Sequence, residues 1–220
     1  MKLTLNHIRA EGGNAATFVF HLAEPLEWQA GHSFHLEVPG DYAPIEHTFT
    51  ISSAPAEGVI AITTRPSDSP YKRSLFGLQS GENVEGNAFG GTFTWRETTL
   101  QPVFLASGIG ITPFRAMLKQ RVLTGERLPI TLIYASATGD SIFKSELDQW
   151  ATAYPEFSLH YIVGERLNFG HVLAATEPNK SLFYVSGPSL MVDDISAALQ
   201  AHGVLDSQLV RDWFTGRLPD

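Results

Sequence analysis

The chain has no cysteine in its 220 residues. This excludes a disulfide framework, a thiolate zinc site, a cysteine nucleophile and a cysteine-ligated iron–sulfur cluster on this polypeptide, so any redox chemistry must use a bound organic cofactor. Positive charge is also scarce: 15 Lys and Arg stand against 23 Asp and Glu, a formal net charge of −8. Nucleic acid and anionic membrane surfaces need a basic footprint and are disfavoured as partners. No apolar run approaches the ~20 residues of a membrane-spanning helix. The start MKLTLNHIRAEGG alternates instead of forming a signal-peptide core, so the expected location is the cytoplasm, with no membrane span. His32 and His35 lie close together but have no carboxylates at ligand spacing, and no metal site is expected.

What is present changes character midway. LTLNHIRA, ATFVFHLA, SFHLEVP, HTFTISS and VIAITTR carry β-branched and aromatic residues in partial alternation, with Gly, Pro and Asp between them. This predicts an antiparallel β-barrel or sandwich, with one short helix from Tyr71 to Leu78. After Pro102, the apolar runs PVFLAS, ITLIYAS, FSLHYIV and SLFYVS are separated by the helical segments PFRAMLKQRVL, KSELDQWATA and LMVDDISAALQAHG. That order predicts an α/β half, a parallel sheet with helices on both faces. The polar stretch RETTLQP marks the boundary, and the expected division is a β-barrel domain over 1–98 and an α/β domain over 99–220.

Ser107-Gly108-Ile109-Gly110-Ile111-Thr112-Pro113 joins the first parallel strand to the next helix. Glycine admits positive φ and close ligand approach, and a helix N-terminus offers free N–H groups to a pyrophosphate. Thr112 is expected to cap that helix, with Pro113 in its first turn. A second glycine, Gly187, ends the fourth parallel strand and precedes Pro188 and Met191, so two strand ends can flank a dinucleotide. Ser136 and Arg166 are further candidates at neighbouring strand ends.

In order along the chain, these residues resemble the ferredoxin-NADP reductase superfamily, in which a flavin-binding barrel precedes an NAD(P)-binding domain. His47-Thr48-Phe49-Thr50-Ile51-Ser52-Ser53 resembles the family's R-x-[YF]-[ST]-x-x-S flavin motif. Ile62-Thr63-Thr64-Arg65 resembles the flavin-contacting strand, Lys72-Arg73-Ser74-Leu75 the helix start that receives the diphosphate, and Gly86–Phe93 the G-P-x-G-x-F segment. Gly108–Pro113 resembles the pyrophosphate turn, Tyr184–Met191 the C-G-P-x-x-M motif, and Asp212 to Gly216 the terminal E-x-F-x-G-Y. The resemblance implies that Phe49 lies against the isoalloxazine and that Thr50 bonds its N5 edge. Ser186 takes the cysteine position, Asp212 the glutamate position beside the reacting ring, and Phe214 closes the far side of the flavin.

Three departures stand out. His47 replaces an arginine that grips phosphate, and a neutral imidazole grips less well, which makes Lys72 and Arg73 the expected substitutes. Asp212 and Arg217 depart from the terminal pattern. Ser136, Thr138 and Asp140 lean towards NADH, although Arg115 or Arg166 would favour a 2′-phosphate.

The implied activity is a flavin-dependent NAD(P)H oxidoreductase using FAD, or FMN, with NADH or NADPH as substrate. Electrons would pass on to a ferredoxin, flavodoxin, haem protein, oxygenase or ferric complex. The alternatives are a flavin-poor member serving as a nucleotide-sensing module, and a binding protein for another phosphorylated ligand.

Overall fold

The computed structural model describes residues 1–39 and 45–214, with the backbone alone at Phe214. The first half forms a six-stranded antiparallel sheet from β1 (Lys2–Glu11), β2 (Ala15–Leu22), β3 (Ser33–Val38), β4 (Ile45–Thr50), β5 (Ile60–Thr64) and β6 (Asn83–Gly90). The strand order is β4-β3-β6-β1-β2-β5. The edge strands approach each other, because Ser52 beyond β4 donates its N–H to Ala61 of β5 at 2.8 Å, curling the sheet into a barrel. Alternation puts Phe34, Leu36 and Val38 of β3 inside with Leu3, Leu5, Phe18 and Phe20. Each such side chain contributes about 1.5–3 kcal/mol by burial.

β6 lies mid-sheet although NVEGNAFG reads as polar. Val84 is its one fully buried apolar side chain, and Phe89 near its end stacks on Phe34 with ring centroids 4.8 Å apart. Gly86 is inward too, and a Cβ there would come within 3.0 Å of both Leu3 and Phe89. Neighbouring side chains therefore fill the place that a strand residue normally fills itself. The short helix α1 (Pro70–Gly77) begins at Ser69, whose hydroxyl accepts the Lys72 N–H at 3.2 Å, and it buries Tyr71 and Leu75.

The second half is a five-stranded parallel sheet of β7 (Gln101–Ser107), β8 (Thr131–Ser136), β9 (Ser158–Val163), β10 (Ser181–Pro188) and β11 (Leu209–Phe214). α2 (Thr112–Leu123) and α3 (Lys144–Ala153) pack on the face showing Phe104 and Leu132. α4 (Phe169–Ala175) and α5 (Ser189–Ala201) cover the face showing Val103 and Leu105. The order β11-β10-β7-β8-β9 means that the chain winds outward from β7 and returns to its other side at β10. Between β7 and β10 lies a topological switch point, where open α/β sheets bind ligands.

Residues 91–100 connect the sheets without hanging free. Arg121 lies 4.2 Å over the Trp95 ring, the Arg96 N–H donates to the Tyr184 hydroxyl at 2.8 Å, and Phe93 packs on Phe114. Among the described residues no helix is long and apolar enough to cross a membrane.

Candidate functional site

At the switch point the glycine turn is a 3-10 turn, Gly108–Ile111, that runs straight into α2. This corrects the expected cap: Thr112 is already helical, and its hydroxyl donates back to the Ile109 carbonyl at 3.1 Å. The free N–H groups thus belong to the glycine turn itself. Gly108 has φ +56, and its carbonyl accepts from the Tyr134 hydroxyl at 3.0 Å. Gly110 packs so tightly on β10 that a Cβ would stand 2.3 Å from the Ser186 carbonyl oxygen. Ile111 and Pro113 are buried behind the turn.

β10 contributes Ser186, fully buried, which donates its hydroxyl proton to Asp212 Oδ2 of β11 at 3.2 Å. Parallel pairing sets the two side by side in register. Burial pushes the Asp212 carboxyl up to about 6, partly opposed by the Ser186 hydrogen bond. Gly187, Pro188 and Met191 follow, and the Met191 methyl lies 2.5 Å from where a Gly187 Cβ would project. At Phe214 the strand pairs with Pro188, but that side chain and Arg217 lie outside the described residues.

A cleft of about 280 Å³ opens beside the turn, lined by Gly13, Arg65, Tyr134, Ser136, Thr138 and Asp140 among others. Ser136 is buried, its hydroxyl donating to the Thr138 carbonyl at 2.7 Å and lying 2.8 Å from the Ser141 hydroxyl. A larger open groove, about 730 Å³, runs past Lys144, Asp148 and Thr152 and shares only Asp140 with the cleft. Arg65 crosses from the barrel. Its Nε donates to the Gly13 carbonyl at 3.0 Å, and its Nη1 would touch a Cβ on Gly108 at 3.4 Å. It therefore faces the Gly108 turn.

The other candidates gather on the barrel around β4 and α1. Phe49 and Thr50 are half-buried at the end of β4. Lys72 stands 4.7 Å over the Phe49 ring and donates to the Thr64 hydroxyl. No carboxylate pairs with it among the described residues, and desolvation pushes its ammonium down to about 8. His47 packs on Tyr71 with ring centroids 4.2 Å apart. Burial, then the Lys72 charge, lower the His47 pKa, so it is neutral at pH 7. A cation held without a counter-ion beside a half-buried aromatic ring fits a flavin that carries a phosphate.

Ser74 is half-buried on α1, while Arg73 is exposed and folds back to donate to the Asp68 carbonyl. Thr63 points into the barrel, where its hydroxyl meets Thr17 at 2.8 Å and Ser52 at 3.0 Å, which corrects its reading as a cofactor contact. Arg115 is also corrected: it is buried among carboxylates and gives no cation to a 2′-phosphate. Arg166 is exposed. Motif reading missed Gly13 and Asn14 as cleft walls, because nothing local to a β-turn reveals which strand ends will face it.

Comparison with known proteins agrees with this geometry. Residues 104–197 match the family described as an oxidoreductase NAD-binding domain. The chain is similar to the plasma membrane-associated coenzyme Q6 reductase of Saccharomyces cerevisiae, 31% identical over 158 residues, covering 68% of this chain and 51% of that one. It spans about half the length of the curated relatives it matches. Among solved structures, the flavohem-like FAD/NAD binding domain of nitric oxide dioxygenase from Vibrio cholerae superposes with TM-score 0.85 at 19% identity, covering 97% of this chain and 98% of that one. A ferredoxin NADP+ reductase from Neisseria gonorrhoeae with bound FAD and NADP gives 0.82 at 16% identity, over 96% and 97%.

Proposed function

This chain belongs to the ferredoxin-NADP reductase superfamily, and from that premise we propose that it is an NAD(P)H-dependent flavoprotein reductase with FAD as its flavin. The observation that carries the reading is the switch point, where the Gly108 turn and the Ser186–Asp212 pair end adjacent strands while Arg65 reaches over from the barrel. In this reading the protein has two domains, 1–98 and 99–220.

On the barrel, Phe49 supplies a stacking face and Thr50 a hydroxyl for the flavin ring, while Lys72 takes its diphosphate. His47 adds packing but no charge. On the α/β domain, the N–H groups of the Gly108 turn and Arg65 hold the pyrophosphate of the dinucleotide, and Ser136 and Thr138 line its adenosine end. Ser186 and Asp212 wall the reacting ring, and the carboxyl of Asp212, carrying a proton near pH 6, offers an acid there. The bound flavin supplies a hydride-accepting N5 and the change from two-electron to one-electron chemistry.

NADH is the preferred donor, because Asp140 brings a carboxylate to the cleft and Arg115 is committed elsewhere. The acceptor is a one-electron protein or small-molecule partner. The relatives are named for a quinone, a haem enzyme and a ferredoxin, and none supports the nucleotide-sensing alternative. The test is to titrate the purified protein with FAD, record its absorbance, and follow anaerobic bleaching by NADH and NADPH separately. A protein that binds no flavin overturns the reading.

A further inference from the structure

Arg115 lies on α2, three residues beyond Thr112 at the nucleotide turn, and its guanidinium is buried with 7% of the side chain exposed. All five of its N–H donors are used. Nε and Nη2 bond Glu146 at 2.8 and 3.0 Å, Nη2 and Nη1 bond Glu57, and Nη1 also reaches the Ser52 carbonyl at 3.0 Å. Lys119 neutralises the remaining charge by bonding Glu146 at 3.0 Å. The guanidinium fork therefore leaves no donor for a ligand.

The placement of its partners gives this network a role. Glu146 belongs to the α/β half, but Ser52 and Glu57 belong to the barrel, and Ser52 follows Thr50 by two residues. Glu57 is itself fixed by accepting the Ala54 N–H at 2.7 Å, and a second tie runs from the Ala56 N–H to Gln120 of α2 at 2.9 Å. Phe143, which begins α3, takes a left-handed backbone at φ +59 and sets its ring 5.7 Å from the Arg115 guanidinium. Backbone strain of this kind persists only where surrounding contacts over-determine it.

We propose that Arg115 is a positioning residue for the hydride step, tying the segment just after Thr50 to the helix just after Thr112 and so setting the distance between the two reacting rings. The inference rests on the reductase reading above. Hydride transfer needs the nicotinamide donor carbon and the flavin N5 about 3–3.5 Å apart, and a misplacement of ~1 Å from a remote change can cost on the order of 100-fold in rate. A charge cluster with every donor satisfied holds such a distance better than apolar contact, because it resists sliding as well as separation.

The test compares wild type with Arg115→Lys, Glu57→Ala and Glu146→Gln. Glu57→Ala removes the two carboxylate bonds of the cross-half tie, leaving only the Ser52 carbonyl on Nη1, and keeps Arg115 paired within the α/β half, whereas Glu146→Gln loosens only the latter. Hydrogen exchange of residues 52–58 in the flavin-free protein should rise in Arg115→Lys and Glu57→Ala and stay near wild type in Glu146→Gln. In the loaded protein, the first two variants should lose about tenfold or more in the rate of flavin reduction and lose the long-wavelength absorbance of the stacked nicotinamide–flavin pair. FAD and NADH affinities, measured separately, should change by less than about threefold, since the clamp touches neither ligand. If Glu57→Ala and Arg115→Lys show raised exchange but unchanged reduction rate and absorbance, the positioning role is wrong while the reductase reading stands. A wild type that shows no flavin reduction overturns both.

Discussion

A carboxyl that holds its proton to about pH 6 stands beside Ser186. Its folded value lies above the ordinary 3.8, so the folded chain binds this proton more tightly than the unfolded one. The stability it contributes is present below about pH 4, declines between pH 4 and 6, and stays lost above. Asp212→Asn should remove that slope and be about 1–3 kcal/mol more stable than wild type at pH 8 in urea unfolding, since each pKa unit is worth about 1.4 kcal/mol. If Asp212 is the acid at the reacting ring, the variant also loses any limb near pH 6 in the kcat profile. Lys72 has the opposite linkage. Its ammonium titrates near 8, so the folded chain without flavin gains stability as pH rises from 8 towards 10.5. FAD affinity should fall above pH 8, by up to about tenfold per pH unit. Lys72→Met should weaken FAD by roughly 10- to 100-fold at pH 7, the worth of one charge-assisted bond, and abolish the pH dependence. Fluorescence titration across pH 6–10 reads both, and an unchanged affinity would show that Lys72 is not the phosphate anchor.

At the scale of elements, local pattern worked where each segment carries its own period or cap. KSELDQWATA is α3 residue for residue, and the helix expected from Tyr71 to Leu78 is α1, one residue earlier at each end. It failed at β6, where Gly86 leaves an inward position to be filled by Leu3 of β1 and by Phe89 further along the same strand, so too little of a two-residue period remains to read. It also failed at Thr112, because a 3-10 turn feeding a helix shifts the free N–H groups upstream of the residue expected to cap. The glycine turn was legible, but its reason was only half so. Gly108 needs positive φ, while Gly110 is required by the β10 backbone. Gly110→Ala should therefore cost about 1–3 kcal/mol in urea unfolding, as overpacking does, and weaken nicotinamide binding in titration.

At the scale of the molecule, two hydrogen-bonded joints between the halves bear on the site. One is the Arg115 cluster, and the other is the Gly13 backbone, bonded by Asp140 at 3.1 Å and Arg65 at 3.0 Å. Arg65 is thereby a barrel residue lining the cleft of the α/β half, and in the proposed reading it binds the nucleotide. Arg65→Ala should raise KM for NADH roughly tenfold with kcat within about threefold, the mark of binding felt equally in ground and transition states. Steady-state kinetics would contradict this if kcat alone fell. The two-part architecture, the glycine turn at a strand's end and the need for an organic cofactor were determined by the sequence itself, since period, glycine placement and the lack of cysteine act locally or through composition. Only the tertiary structure decided which cations are free. Arg65, Lys72 and Arg115 look alike as residues, yet one faces a cleft, one has no counter-ion among the described residues, and one is locked between Glu57 and Glu146. Whether a charge is available depends on the partners and water around it, and those come from segments distant in the chain.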